Sequence, residues 1–416
     1  MLQKIVLYGA GIIVILLIVG YIGVAVPVQA SIDRVELDSD QMPYAMRGAH
    51  TVGMQELTIN EDNGLRAVMW YPAINEDDRS ETITYSYPAK MGENFMVQFA
   101  TYQGQAIENA PFDHAGNPYP IVILSPGFSM GATAYGWLAE HLASYGFVVI
   151  APEHQEYFDG ELNGLWQSVV TRPQDIIAVL DYVDEQAGTD GLLEGLIDPD
   201  TVAVVGHSYG GYTTLASAGA QIDTAYLRQH CETARAENHP AAWLCDEIEP
   251  HFEEMATLAG LDSVPDGLWS LPVDPRIDAI VPIAGDAYFF GQTGLAEITA
   301  PVMAIGGTAD MDSPYDWAAR PTFEHVSSNR RILVGLEGAE HMIFTAPCEA
   351  IPLFLRVMSG EFCEDGDWNR YHAHNIVKHF ATAFLLSELQ AAADAMTALQ
   401  ADAVTIPEIT YHVEGY

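Results

Sequence analysis

Short runs of β-branched and other apolar residues recur along the chain, separated by polar or glycine-rich turns. Such runs are typical of strands that are buried on both faces of a parallel sheet. The first two runs flank Asn63-Gly64, the turn sequence of a type I′ hairpin, so they are expected to pair antiparallel. The eight predicted strands cover residues 51–60, 65–71, 119–124, 147–151, 202–205, 277–283, 301–305 and 331–336.

Between these runs, apolar residues recur with the spacing of amphipathic helices. Predicted helices cover residues 135–144, 173–185 and 209–218, and residues 371–399 form a long closing helix or a pair of helices. Strands that alternate with helices indicate parallel pairing through right-handed crossovers. The pattern therefore predicts an α/β fold, namely a doubly wound, mostly parallel, eight-stranded sheet with an antiparallel N-terminal hairpin.

The longest hydrophobic stretch precedes the first predicted strand. Residues 5–26 run for 22 residues without a charge, enough for a helix to cross the hydrocarbon core of a membrane. Lys4 precedes this stretch and acidic residues follow it, which directs the rest of the chain out of the cytoplasm. Small side chains at Val28 and Ala30 permit cleavage after Ala30. We therefore predict an extracytoplasmic protein, either secreted or anchored in a membrane through residues 5–26 if they are not cleaved.

The charge of the chain excludes one class of partner. Its 57 acidic and 16 basic residues give a formal net charge of −41. A surface of that sign repels polyanions at ordinary salt, so no nucleic-acid partner is expected. With 49% hydrophobic residues, the 416-residue chain is expected to fold as a globule.

The four cysteines form two local pairs. Cys231 lies 14 residues before Cys245, and Cys348 lies 15 residues before Cys363. In an exported chain, an even number of cysteines at such spacings indicates disulfides. These two local bonds are the predicted connectivity, and free buried thiols are the alternative.

The sequence Gly206-His207-Ser208-Tyr209-Gly210 follows directly on the predicted strand 202–205. In a sharp turn from strand to helix, glycine on both sides of a serine lets neighbouring backbone pass closely. The turn exposes the serine hydroxyl at the carboxyl edge of the sheet, next to the positive end of the following helix. Ser208 is therefore the candidate nucleophile. The alternative is an ordinary glycine-rich turn without a catalytic role.

A nucleophilic serine needs a base, and the base needs a carboxylate to orient it. Asp310 follows the predicted strand 301–305, and His341 follows the last predicted strand. Carboxyl ends of parallel strands meet at one edge of a sheet, so these two side chains can converge on Ser208. We assign His341 as base and Asp310 as its orienting acid, with Asp312 as the rival acid. His207 is expected to pack beside the turn without a catalytic role.

Acyl transfer also needs hydrogen-bond donors that face the developing oxyanion. The loop Pro126-Gly127-Phe128 follows directly on the third predicted strand, and Gly127 leaves its backbone free to turn. The expected oxyanion hole consists of the backbone N–H groups of Phe128 and Tyr209. A plain β-turn at Pro126-Gly127 is the alternative.

Taken together, these segments resemble the α/β-hydrolase superfamily over roughly residues 50–390. The segments that carry the resemblance are LSPGFSMGATAYGWLAEHLASYGFVVIAPEHQ, TRPQDIIAVLDYV, VVGHSYGGYTTL, DPRIDAIVPIAG, VMAIGGTAD and GAEHMIF. Within the superfamily they resemble platelet-activating-factor acetylhydrolases and bacterial predicted dienelactone hydrolases. The Pro126-Gly127-Phe128 loop is more similar to that of secreted polyester hydrolases and cutinase-like enzymes. The resemblance implies a triad of Ser208, Asp310 and His341 with Phe128 and Tyr209 as oxyanion donors.

The predicted function is hydrolysis of carboxylic esters by an exported serine hydrolase that needs no cofactor and no metal. Its partner is expected to be an ester or lipid-like small molecule, and a polyester is compatible with the resemblance. A serine peptidase and a non-catalytic binding module on the same scaffold remain as alternatives, because a fold alone does not establish an activity.

The chain divides into a signal peptide or anchor (1–30), a linker (31–50), a hydrolase domain (51–400) and a tail (401–416). Within the domain, residues 221–272 form an insert with an expected structural role, because the preceding helix should end on the side of the sheet away from the site. The substrate pocket is instead expected among the aromatic loops 153–166 and 286–293, which contain Tyr157, Phe158, Trp166, Tyr288, Phe289 and Phe290.

Overall fold

The computed structural model describes residues 41–60, 64–92, 95–116, 118–156, 164–351, 360–363 and 365–416. The predicted signal or anchor segment 5–26, the hairpin turn at Asn63 and the aromatic residues Tyr157 and Phe158 lie outside these ranges. In the part of the chain that is described, no helix is both long and apolar enough to span a membrane.

The strands fall largely where the apolar runs predict them. They are β1 (Thr51–Asn60), β2 (Leu65–Ala73), β3 (Ile83–Gly92), β4 (Phe95–Gly104), β5 (Ile107–Glu108), β6 (Tyr119–Ser125), β7 (Val148–Pro152), β8 (Ile197–His207), β9 (Ile222–Asp223), β10 (Leu268–Trp269), β11 (Ile277–Ile283), β12 (Val302–Gly307), β13 (Arg331–Leu336) and β14 (Ile409–Glu414).

Ten helices of the α type lie in the described ranges, together with several short 3₁₀ helices. They are α1 (Gly136–Ser144), α2 (Leu165–Ala187), α3 (Tyr209–Ser217), α4 (Thr224–Ala236), α5 (Trp243–Ile248), α6 (Phe252–Leu258), α7 (Gly291–Leu295), α8 (Ala319–His325), α9 (Arg370–Gln390) and α10 (Ala393–Ala398). The predicted closing segment 371–399 is thus a pair of helices, α9 and α10.

The main sheet has the order β14-β13-β12-β11-β8-β6-β7-β2-β1-β5. Strand β8 lies at its centre, with β6 and β11 parallel to it on either side. The N-terminal hairpin β1–β2 is antiparallel, and β2 joins β7 antiparallel. The predicted doubly wound, mostly parallel sheet with an antiparallel N-terminal hairpin is confirmed.

Two hydrophobic cores lie on the two faces of this sheet. On β6, Val122 and Leu124 face one core, and Ile121 and Ile123 face the other, because successive side chains of a strand point to opposite faces. The first core is completed by α1 and α9, and the second by α2 and α3. Burial on both faces explains why the strand sequences lack the polar alternation of half-exposed strands.

The number of strands departs from the prediction. The sheet contains ten strands in the described ranges instead of eight, because the short β5 and the C-terminal β14 are added at its edges. The segment predicted as a tail, 401–416, contains β14, which pairs antiparallel with β13 from Arg331↔Glu414 to Leu336↔Ile409. A separate antiparallel hairpin, β3–β4, follows β2 and was not predicted.

Both predicted disulfides are present. Cys231 at helix α4 bonds Cys245 at helix α5, and Cys348 bonds Cys363. The first bond lies inside the insert 221–272 and joins two of its helices. A cross-link over 14 residues restricts the unfolded chain, which stabilises the folded insert by roughly 3 kcal/mol in the chain-entropy account.

Candidate active site

Ser208 occupies the turn between the central strand β8 and helix α3. Its backbone has φ 58° and ψ −125°, a conformation that costs a side-chain-bearing residue roughly 1–3 kcal/mol. The Ser208 N–H donates to the Ile283 carbonyl at 2.9 Å, so the neighbouring strand β11 helps to hold the turn. Such strain, held by the surrounding sheet, is a feature of functional sites.

The glycines around Ser208 are needed for space. A Cβ at Gly206 would collide with the Gly210 carbonyl, and one at Gly210 would collide with the Ser125 carbonyl. A Cβ at Gly211 would lie 2.5 Å from the Gly285 Cα atom. Strands β6 and β11 therefore approach the turn closely on its two sides, which only residues without side chains allow.

Ser208, His341 and Asp310 form a continuous chain of hydrogen bonds. The His341 Nε2 atom lies 2.8 Å from the Ser208 hydroxyl oxygen, and its Nδ1 atom lies 2.7 Å from Asp310 Oδ2. A carboxylate only accepts, so Nδ1 carries the proton and Nε2 is left to accept the proton of the serine hydroxyl. The structure thus brings together the three side chains that the sequence assigned to this chemistry.

The Asp310 carboxylate is itself held in place. Its Oδ1 atom accepts hydrogen bonds from the backbone N–H groups of Asp312 at 2.9 Å and Ser313 at 2.8 Å, leaving Oδ2 for His341. Asp312, the rival acid, therefore supports Asp310 through its backbone, while its own side chain lines the neighbouring cavity.

The carboxylates determine the charge of His341. Burial lowers the pKa of this imidazole, but the charge and hydrogen bond of Asp310 together with the charges of Asp312 and Asp286 outweigh burial. The net result raises the pKa of His341 to about 9. The site thus favours a positively charged imidazole, the form that His341 takes after it accepts a proton from Ser208.

His207 has the supporting place predicted for it. Its Nδ1 atom lies 2.8 Å from the Tyr135 hydroxyl, and its Nε2 atom lies 3.2 Å from the His341 carbonyl. The carbonyl must accept, so Nε2 carries the proton and Nδ1 accepts from Tyr135. Tyr135 in turn accepts from the Gly127 N–H at 3.1 Å. A neutral His207, whose pKa burial keeps well below the ordinary value, thus links the 126–129 loop to the backbone of the base.

The two candidate oxyanion residues flank Ser208. Phe128 and Tyr209 both line the cavity at the serine, and their rings meet edge to face with centroids 5.9 Å apart. A Cβ built on Gly127 would lie 3.6 Å from the Ser208 Cβ, so the backbone of the loop comes within contact distance of the nucleophile turn.

A cavity of about 400 Å³ opens beside the Ser208 hydroxyl. Its lining is mostly apolar, as expected for a site that takes an organic ligand. The apolar and aromatic lining residues are Phe128, Met130, Tyr135, Leu165, Tyr209, Trp243, Leu244, Met342 and Phe362.

The cavity corrects two predictions. The insert 221–272 was expected to have only a structural role, but its helix α5 supplies Trp243 and Leu244 to the cavity wall. The chain that follows α3 wraps back to the site edge, and the Cys231–Cys245 bond fastens α5 there. Conversely, the rings of loop 286–293 belong to the core instead of lining the cavity. Phe289 and Phe290 pack on Tyr212, and Tyr288 packs on Phe289.

Asp286 is a site residue whose importance the sequence did not reveal. It follows β11, lines the cavity and is 2% exposed, and its Oδ1 atom accepts a hydrogen bond from the Ser313 hydroxyl at 2.7 Å. Burial raises the pKa of Asp286 to about 7. Its place at the carboxyl end of a central strand was the available signal.

Comparisons with known proteins find one matching family model and several similar enzymes. A family model described as PET hydrolase-like matches residues 88–231, a range that includes Ser208. A cutinase of Thermobifida alba is 32% identical over 27% of the chain, and a bis(hydroxyethyl) terephthalate hydrolase of Streptomyces coelicolor is 31% identical over 26%. A platelet-activating factor acetylhydrolase of Canis lupus familiaris is 25% identical over 45%.

The matched segments cover only part of each relative, namely 34% of the cutinase, 31% of the terephthalate hydrolase and 54% of the acetylhydrolase. The chain thus spans about a third to about half the length of the curated relatives it matches. Its sheet order, flanking helices and strained serine turn define the α/β-hydrolase fold. Within that superfamily, the predicted resemblance to platelet-activating-factor acetylhydrolases and polyester hydrolases is confirmed.

Proposed function

We propose that the protein is an exported serine hydrolase that cleaves carboxylic esters. The observation that carries the proposal is the hydrogen-bonded chain Ser208–His341–Asp310, which ends in a strained turn at an apolar cavity. Relatives named as a cutinase, a bis(hydroxyethyl) terephthalate hydrolase and a platelet-activating factor acetylhydrolase support ester hydrolysis.

The reaction follows from the positions of these groups. Ser208 Oγ attacks the ester carbonyl while His341 Nε2 takes its proton, and the imidazolium is stabilised by Asp310. The carbonyl electrons move to oxygen, where the N–H groups of Phe128 and Tyr209 stabilise the charge. Collapse breaks the bond to the alcohol, which leaves with the proton from His341. Water, deprotonated by His341, then attacks the acyl-enzyme and releases the acid and free Ser208.

The cavity supports an apolar acyl or aromatic acid group as the part of the substrate that is recognised. A volume of about 400 Å³ and a wall of aromatic and aliphatic side chains bind such a group by burial. A polyester or a lipid ester satisfies this requirement. The two relatives named as a cutinase and a terephthalate hydrolase favour the polyester.

Export and domain organisation belong to the same proposal. Two disulfides are typical of proteins that fold in an oxidising compartment, and the charge of −41 suits a solvated surface. Residues 1–30 would direct export as a signal peptide or anchor, and 31–50 would link them to the hydrolase domain. The strand β14 is then part of this domain, which extends beyond residue 400.

The test compares Ser208→Ala with Ser217→Ala, using p-nitrophenyl esters of increasing acyl length. Ser217 lies on the last turn of the same helix α3 and is buried outside the cavity, so it controls for a buried serine. We expect turnover to fall by about 10⁴-fold or more in Ser208→Ala and to stay within about twofold in Ser217→Ala. Equal turnover in Ser208→Ala and the parent protein would refute the proposal.

A further inference from the structure

A buried arginine lies beneath the loop that carries Phe128. Arg172 extends from helix α2 and is 1% exposed. Its Nη1 donates to the Pro126 carbonyl at 2.7 Å, and its Nη2 donates to the Gly127 carbonyl at 3.1 Å. A guanidinium therefore fixes two successive carbonyls of the loop, with the rigid fork geometry that distinguishes arginine from lysine.

Glu156 balances the charge of Arg172 and holds the next part of the same loop. It is 2% exposed, accepts from Arg172 Nε at 2.9 Å and pairs with Nη2. Its Oε1 atom also accepts from the Ser129 N–H at 2.6 Å. Ser129 has a φ of 56°, so this charge-assisted bond stabilises an unfavourable backbone conformation. The segment 126–129 is thus held at three points, the carbonyls of Pro126 and Gly127 and the N–H of Ser129, by one buried ion pair.

These contacts determine the direction of the peptide N–H at Phe128. The Gly127–Phe128 peptide is trans and planar, so its carbonyl and its N–H point in opposite directions. The carbonyl points to Arg172, and it also accepts from the Met130 N–H at 3.1 Å. The N–H must then point away from Arg172. The loop lies within contact distance of the nucleophile turn, since a Cβ built on Gly127 would lie 3.6 Å from the Ser208 Cβ.

Arg172 also contacts the second oxyanion residue. Its guanidinium carbon lies 5.1 Å from the centre of the Tyr209 ring, and the Tyr209 hydroxyl donates to the Leu165 carbonyl at the start of the same helix α2. One guanidinium therefore contacts the ring of Tyr209 and the carbonyl of the peptide whose N–H belongs to Phe128.

We propose that Arg172 is a positioning residue that holds the oxyanion hole open by orienting the Gly127–Phe128 peptide toward the reacting ester. This role rests on the proposed ester hydrolysis, and it makes stabilisation of the oxyanion in that reaction depend on Arg172. Without Arg172, the Gly127 carbonyl keeps only its bond from the Met130 N–H, so the peptide is held less firmly and one oxyanion donor is no longer fixed in direction. The cost falls on the transition state, in which the oxyanion carries its charge, and not on binding of the neutral ester.

The experiment must separate positioning from folding. Replacing Arg172 alone by methionine would leave Glu156 as an unpaired buried charge, so the test variant is the double variant Glu156→Gln/Arg172→Met. Arg172→Lys keeps the charge but cannot reproduce the fork. Arg276→Met is the matched control, because Arg276 also bonds a backbone carbonyl, that of Leu180, and pairs with Asp274 away from the cavity. Active sites are titrated with a fluorophosphonate, so that each kcat refers to folded protein.

For Glu156→Gln/Arg172→Met, we expect kcat per titrated site to fall about 10²-fold to 10³-fold, with KM changed less than about threefold. The affinity for a trifluoromethyl ketone, which forms a tetrahedral adduct, should fall in parallel with kcat. Arg172→Lys should lie between the double variant and the parent. Arg276→Met should lower Tm while it keeps kcat and inhibitor affinity within about twofold.

Two results would overturn the inference. If the double variant folds and keeps the parent's kcat and ketone affinity, Arg172 positions nothing. If the double variant does not fold, Arg172→Lys is used instead. Parental kcat and parental ketone affinity in Arg172→Lys would also show that Arg172 does not position the loop. A parent protein that hydrolyses no ester would instead remove the proposed function itself, together with the role inferred from it, so the two failures are distinguishable.

Discussion

Two Ser–His–Asp sets with nearly equal hydrogen bonds lie in this molecule. In the first, His341 lies 2.8 Å from Ser208 and 2.7 Å from Asp310. In the second, His154 lies 2.9 Å from Ser125 and 2.8 Å from Asp175. Each histidine bonds serine through Nε2 and aspartate through Nδ1, so residue types and contacts do not distinguish the sets.

The surroundings of the two serines differ. Ser208 is half-buried, has a φ of 58° and lines the cavity. Ser125 is 0% exposed and ends the regular strand β6. A substrate carbonyl has access to the first hydroxyl and none to the second. The strained turn after a central strand therefore carries more information about a nucleophile than the three side chains do.

The two histidines also differ in charge. The pKa of His341 is raised, because Asp310, Asp312 and Asp286 together outweigh its burial. The pKa of His154 is lowered, because burial is reinforced by the neighbouring positive charge of Arg172, and Asp175 does not compensate. A base must become positive in the transition state, so the environment of His341 stabilises this form and that of His154 does not.

Serine substitutions should separate the two sets by the largest factor. With a p-nitrophenyl ester, Ser208→Ala should lower kcat by about 10⁴-fold or more, and Ser125→Ala, which removes only a buried hydrogen bond, by less than about tenfold. Steady-state kinetics on folded protein, checked by circular dichroism, measures both. Comparable losses in the two variants would mean that the geometric distinction is wrong.

Replacing the aspartates should give the next largest difference. Asp310→Asn removes the acceptor that fixes the His341 tautomer, and we expect kcat to fall by about 10³-fold to 10⁴-fold. Asp175→Asn should lower kcat by less than about tenfold, since Asp175 orients a histidine that contacts no substrate. The same ester assay compares them. A large loss in Asp175→Asn at unchanged Tm would contradict the account.

The pH dependence sharpens the electrostatic difference. Only neutral His341 accepts a proton, so kcat/KM should rise with pH and level off above a midpoint near its pKa of about 9. Because the folded pKa exceeds the ordinary value of 6.5, the stability from this group is fully present below pH 6.5 and is lost as pH rises through about 9. Asp312→Asn removes a negative charge, so the midpoint of kcat/KM should fall by about one pH unit or less. A profile unchanged by Asp312→Asn would show that His341 does not respond to this carboxylate.

The cavity wall should give the smallest effect. Leu244 adjoins Cys245 and Phe362 adjoins Cys363, so each disulfide fastens one wall residue. Cys231→Ser/Cys245→Ser should lower the free energy of unfolding by roughly 3 kcal/mol and change the relative kcat/KM for short and long acyl esters a few-fold. Thermal unfolding and an ester panel test this. An unaltered acyl preference would mean that the disulfide does not shape the cavity.

Much of the fold could be predicted because the central strands are buried on both faces, so their apolar runs are continuous. β14 was missed because the strand prediction relied on continuous apolar runs, whereas Ile409–Glu414 alternates apolar and polar residues, the pattern of a half-exposed strand at a sheet edge. The candidate residues of the Ser208 set were predictable because each follows the carboxyl end of a strand. The role of Arg172 could not be predicted. From sequence alone, an arginine in a helix is expected at the surface, and only the structure shows which loop its buried guanidinium bonds.

The insert shows a second limit of sequence reasoning. The direction of helix α3 indicates on which side of the sheet the insert 221–272 begins. It does not indicate that the insert later returns to the edge of the sheet that carries the site. Trp243 is 40% exposed at the cavity and carries no motif, so only the tertiary path of the chain reveals its place.

Mass mapping of a fluorophosphonate adduct shows directly whether Ser208 or Ser125 is the activated serine. The folded parent protein is treated with the reagent, digested and sequenced by tandem mass spectrometry, which separates the peptides containing Ser125 and Ser208. We expect one phosphonylated residue, Ser208, in the parent protein and no adduct in Ser208→Ala. An adduct at Ser125, or a folded parent protein that does not react, would contradict the claim that the strained serine at the cavity is the activated one of the two.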